Sequence, residues 1–205
     1  MKKLLFLLTL IFGLQLGAQN DEAYVDKLVG EFTGKLENRG ISNWFSSKRF
    51  CTGTVEMFQI ENGRMCTSKG TYYEVYVVWE EEGTAMIKKI DNCGLFYSIP
   101  LNNKKLLDMV NDNYTDLQLN SVKPYNGEKT TGKPVSRTSV QPCKRSFIFT
   151  KEEGEMKQTY NLYDLTTSME NPNANYEYNK GLTIVALDNK LDEVIAALQT
   201  KFKRQ

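Results

Sequence analysis

Histidine is absent from all 205 residues. That removes every Ser–His or Cys–His nucleophile pair and every imidazole metal ligand the chain could supply. It also removes the side chain most often used as a general base near neutral pH. No two cysteines stand in Cys-x-x-Cys spacing, which leaves a zinc ribbon or thioredoxin-type redox motif unsupported. Neither sign of charge is in excess, with 26 Lys and Arg against 25 Asp and Glu. A near-neutral chain has no long-range field to gather DNA, RNA or an anionic membrane, so nucleic acid is not an expected partner. Long apolar runs are missing as well. The longest falls short of the roughly 20 residues that span a bilayer, so no transmembrane segment is expected in the mature chain. There is no internal repeat, and no motif requires a metal or a cofactor.

What is there begins with that N-terminal run. Lys2 and Lys3 precede Leu4 to Phe12, Gly13 breaks the run, and Leu16-Gly17-Ala18 leads into Gln19-Asn20-Asp21. A charged start, a short apolar stretch and a small-residue exit predict a signal peptide over residues 1–18. The expected location is periplasmic or extracellular. No cysteine follows the predicted cleavage site, so a lipid anchor of the bacterial type is not expected. Residues 19–205 are enough for a single domain with a substantial core.

The four cysteines are Cys51, Cys66, Cys93 and Cys143. An even number in an oxidising compartment predicts disulfides, with three possible connectivities. A Cys93–Cys143 bridge is favoured, because each precedes an apolar run and the bridge would tie the strands flanking the longest polar loop. A Cys51–Cys66 bridge is disfavoured. Counting outward from a hairpin turn at Asn62-Gly63 sets Cys66 opposite Gln59 and Cys51 opposite Glu74.

Asn20 or Asp21 caps a short helix over 21–32, limited by Gly30 and Gly34, with an extended segment near 32–36. Residues 37–48 read as an ordered loop containing Trp44 and Phe45. Phe50 to Ile60 reads as a strand. Thr71 to Glu80 is the best strand, with Tyr73, Val75, Val77 and Trp79 on its apolar face and Tyr72, Glu74, Tyr76 and Val78 on a mixed one. Turns at 80–83 and 91–94 continue an antiparallel meander to Ile99. A helix over 102–112 and a long polar loop over 120–142 precede a second hairpin, 144–150 with 155–165. A second, Asn-rich loop covers 166–181. Leu182 to Leu187 reads as a central strand, and Asp188 or Asn189 caps a last helix reaching about Lys203. The fold class is therefore α+β. A mostly antiparallel, curved sheet of about seven or eight strands is packed by N-terminal, middle and C-terminal helices. The triplet Gly30-Glu31-Phe32 lacks the tryptophan of the Gly-x-Trp start of lipocalin-like barrels, and the sequence assigns no family.

The candidate ligand surface is the strand face carrying Tyr72 and Tyr76, with Trp44 at its rim. Aligned aromatic faces suit sugar rings or an apolar pocket. Tyr176 and Tyr178 repeat the spacing. The acidic runs Glu80-Glu81-Glu82 and Glu152-Glu153-x-Glu155 would suit glycoside hydrolysis if they met in space, but at turn tips they read as solvated. Asp108, Asp112, Asn113 and Asp116 lack a calcium-loop glycine and a closing Glu. Lys129, Lys133, Arg137 and Lys144 make the long loop a surface for an acidic partner, or a solvated loop. The expected function is an exported, non-catalytic binding or interaction domain for a small molecule, glycan or protein. A carboxylate-dependent hydrolase of envelope glycan or peptide, and a structural envelope component, are the alternatives.

Overall fold

The computed structural model describes residues 20–60, 63–127, 142–152 and 154–205. The predicted signal peptide, Glu61, Asn62, Glu153 and loop residues 128–141 lie outside them. Strands β1 (Trp44–Cys51), β4 (Tyr73–Glu81), β5 (Thr84–Asp91), β6 (Gly94–Leu95), β7 (Ile99–Pro100), β8 (Cys143–Lys151) and β9 (Gly154–Asn161) form one antiparallel sheet. Its order is β6-β5-β4-β1-β8-β9, with β7 also paired to β5. Strands β2 (Met57–Gln59) and β3 (Met65–Thr67) make a separate two-stranded sheet. Helices α1 (Glu22–Glu37), α2 (Lys105–Asp112), α3 (Tyr114–Leu119), α4 (Tyr176–Lys180) and α5 (Thr183–Leu198) complete the α+β architecture.

Helix α1 starts where Asp21 accepts the Tyr24 amide at 2.9 Å. It does not stop at Gly30 but runs through Gly34 as well, which overturns the extended segment expected at 32–36. A helical glycine costs about 1 kcal/mol. Burying Val25 and Leu36, with Leu28 and Phe32 packed beside them, outweighs that cost.

The largest correction is β1. The sequence reads as an ordered loop over 37–48, where Ser46, Ser47 and Lys48 interrupt the apolar pattern. These residues instead form the middle of the sheet, with β4 on one side and β8 on the other. The sheet is therefore not a plain meander. The polar residues are matched by groups outside the strand: Lys48 Nζ donates to Glu22 at 2.6 Å and Asp26 at 2.8 Å, both on α1. Arg49 is matched by α5.

That helix is the second correction. The apolar run expected as a central strand is its first half, and Asp188 and Asn189 lie inside it rather than capping it. Ile184, Val185 and Leu187 are apolar on several sides because the helix is sunk into the core. On one sheet face, α2, α3 and α5 cover Phe45, Tyr76, Val78, Ile87, Phe147 and Phe149. On the other, α1 covers Trp44, Val75, Val77, Trp79 and Ile90. Both faces of β4 are thus buried. The Asn-rich loop contains α4, and the strand expected to 165 ends at Asn161 in a 3₁₀ turn over Leu162–Leu165.

The disulfides are Cys51–Cys143 and Cys66–Cys93, not the favoured Cys93–Cys143. Cys93 follows β5 and Cys143 opens β8, with β4 and β1 between them. Three strand spacings make about 14 Å, beyond the reach of a disulfide. The counted register also shifts: Cys66 faces Phe58, and Glu74 faces Arg49. Non-reducing peptide mapping should return these two cross-linked pairs. Replacing both Cys51 and Cys143 by Ser should cost about 2–4 kcal/mol in urea unfolding, because the bridge closes a separation of 92 residues.

Candidate functional site

The structure separates the three predicted ligand residues. Tyr72 and Tyr76 stand at one end of the sheet, on the α5 side. Trp44 stands on the opposite face, near the other end of β1.

Tyr72 lines a cleft of about 330 Å³ with Thr54, Glu74, Tyr76, Arg145 and Asp192. Its hydroxyl donates to Asp91 at 2.9 Å and lies 3.2 Å from Glu74, and its ring lies 5.2 Å from that of Phe58. Tyr76 is only 1% exposed, packs on Phe202 and donates to Glu74 at 3.4 Å. Burial, and then the Glu74 charge, push both phenols far above the ordinary tyrosine range. The surrounding charges pair off. Lys89 bonds Glu74, and Arg204 grips Asp91 at 2.7 and 2.6 Å. Arg49 bonds Asp192 and also Asp188 at 2.6 Å, and Asp188 accepts from Tyr160 at 2.6 Å. Arg145 completes the group, its Nε 3.3 Å from Asp188. This end is a lattice of paired charges holding α5 and the C-terminal residues to the sheet, in which Arg145 Nε is buried without a hydrogen bond.

The other end also leaves buried polar atoms open. A cleft of about 370 Å³ opens where β1 begins, with Phe45 and Phe149 lining it on the α2 side of the sheet and Trp44, whose ring packs on the α1 side, at its edge. Trp44 and Thr150 face each other directly across the β1–β8 ladder. Trp44 Nε1 and Thr150 Oγ1 are both buried, and neither has a hydrogen-bond partner. Buried polar atoms are nearly always paired, so these two leave hydrogen-bonding capacity open. Nε1 is a donor only and needs an acceptor oxygen, whereas the hydroxyl can serve either way. Asn111 of α2, Lys151, Glu80, Glu82 and Glu152 supply further polar groups on the rim.

The two acidic turns therefore do meet, because antiparallel β4–β5 and β8–β9 turn at the same end of the sheet. Glu80, Glu82 and Glu152 are exposed, and Glu80 is ion-paired with Lys104 at 2.7 Å. The aspartates weighed for calcium sit on or beside α2 and α3. Among the described residues no group of three His, Cys, Asp or Glu could hold a metal. Tyr176 and Tyr178 lie on α4, where two-residue spacing does not align them, and Lys123 sits 3.9 Å over the Tyr178 ring. Lys129, Lys133 and Arg137 lie outside the described residues.

Comparison with protein-family models, with curated proteins and with solved structures finds no match to this chain. Thr150 and Asn111 escaped sequence reasoning because nothing local marks them. Only the pairing of β1 with β8, two segments far apart in the chain, brings Thr150 beside Trp44.

Proposed function

We propose that the mature chain is an exported, non-catalytic binding domain that holds a hydroxyl-rich molecule, a glycan, in the Trp44 cleft. The observation that carries this reading is the pair of buried, unpartnered atoms Trp44 Nε1 and Thr150 Oγ1, which belong to two residues that line the cleft. Aromatic faces beside carboxylates and an amide suit a sugar, whose C–H face stacks and whose hydroxyls donate and accept. Export is supported by the signal-like residues 1–18 and by two disulfides. No helix among the described residues is long and apolar enough to cross a membrane.

The meeting of Glu80, Glu82 and Glu152 favours a second reading, a carboxylate-dependent glycan hydrolase. Such enzymes keep one carboxyl protonated in apolar surroundings. Three exposed glutamates, one already paired with a lysine, do not supply that setting, so binding is the better reading.

Native mass spectrometry of the protein from its exported fraction tests the proposal. A bound mass released on gentle activation is expected, and Trp44→Ala should lose it while keeping its disulfides. A bare wild-type mass would mean that water alone completes the two open bonds, and would shift the reading to a structural role. The same spectrum reports whether the chain starts after Ala18.

A further inference from the structure

Lys88 is a charge on the wrong side of a strand. It lies between Met86 and Ile90 on the face of β5 that packs against α1, and only 3% of its surface is exposed. Its Nζ donates to the Phe96 carbonyl and sits 5.0 Å from the Phe32 ring centroid. No carboxylate pairs with it among the described residues. Buried ammonium groups are ordinarily paired, because the charged form is costly to desolvate.

Lys88 lines a cleft of about 530 Å³ between α1 and the sheet, the size of a small-molecule site. Leu28, Phe32, Trp79 and Leu95 give it apolar walls, and Lys35 adds a second cation. Of its two acids, Glu81 accepts from Arg39 and from Trp79 Nε1 at 3.2 Å, and Glu31 is an exposed side chain 3.8 Å from Lys27. The remaining lining residues, Asn38, Ser98 and Gln205, carry no side-chain charge. Among the described residues, the cleft thus has an apolar body and two cations that form no ion pair with a side-chain carboxylate.

We propose that this cleft binds a small apolar molecule carrying one carboxylate, whose acid group pairs with the Lys88 ammonium. The inference is independent of the Trp44 cleft. Burial, with the like charge of Lys35 adding to it, holds Lys88 down at about 8. An arriving carboxylate favours the charged amine and moves it back up.

Octanoate, 1-octanol and octylammonium are the probes, titrated calorimetrically at pH 7 into the oxidised full chain. Octanoate should bind at least tenfold more tightly than the alcohol, and octylammonium more weakly than either. Lys88→Met should bring octanoate to the level of the alcohol and leave the alcohol unchanged. Saturating octanoate should also raise the pH midpoint of the Lys88 Cε resonance. Octanoate binding no tighter than octanol, equal octanoate binding by Lys88→Met, or an unmoved midpoint would each overturn the proposal.

Discussion

Asp188→Ala is expected to cost about 3–5 kcal/mol, a large share of the roughly 5–15 kcal/mol that holds a domain folded. Asp188 is 3% exposed, inside α5, and serves three groups from two neighbouring strands and the sheet edge. Arg49 Nη2 and the Tyr160 hydroxyl each bond it at 2.6 Å, and Arg145 Nε approaches to 3.3 Å. Removing the carboxylate leaves two arginines on one sheet face with only Asp192, which is half exposed, to oppose them. The loss is thus mostly the penalty of uncompensated buried charge rather than the worth of one bond. Urea denaturation at pH 7 measures it. Asp188→Asn keeps the shape and separates charge from packing, and should lose nearly as much. A loss below about 1 kcal/mol in both variants would mean that water reaches the arginines and the cluster does not hold α5 to the sheet.

The second large effect has the opposite sign. Lys88→Met should stabilise the protein at pH 7 by about 1–3 kcal/mol. Holding the amine at about 8 instead of its usual 10.5 corresponds to roughly 3 kcal/mol against folding when the group is charged. The lost bond to the Phe96 carbonyl returns about 1 kcal/mol of that. Between pH 8 and 10.5 the unfolded chain holds this proton and the folded chain does not, so the wild type gains stability as pH rises. Methionine has no such proton, and its advantage should fade across the same window. Tyr72, Tyr76 and Tyr160 work against this trend above about pH 10, because their phenols ionise only once unfolded. They act alike in both proteins and cancel in the difference. If the advantage of Lys88→Met stayed flat from pH 7 to 10.5, the amine would already meet water. A residue that weakens the fold where methionine would strengthen it fits a binding role better than a structural one.

Much of the frame was legible because period-2 alternation survives in β4, β5, β8 and β9, where Tyr73, Val75, Val77 and Trp79 share one face. The hidden parts have one physical cause. In β1 and α5 the residues that decide the structure are charged or serine, and their partners lie elsewhere in the chain. Arg49 falls between the loop and the strand expected from sequence until Asp188 is set against it, and Asp188 reads as a cap until Arg49 is set against it. The apolar run Leu182 to Leu187 fits a buried strand or a buried helix equally well, and periodicity cannot separate the two. Of the candidate site, Trp44 and both acidic turns were named from sequence. Their meeting was not, since it depends on β1 lying between β4 and β8. Tyr72 and Tyr76 were chosen for their rings, yet the Glu74, Asp91 and Lys89 groups around them engage their hydroxyls and faces.

The place of β1 also sets an order of events. A chain emerging from its N-terminus presents β1, β4 and β5 long before β8 exists, so β1 waits with one edge unpaired and Cys51 without its partner. Cys66 and Cys93, only 27 positions apart, can close first. Until residue 143 arrives, Cys51 has only those two sulfurs to meet, and either encounter would be a pairing that the finished fold does not contain. Early closure of the short loop thus protects the long one, by withdrawing both wrong partners before the right one appears.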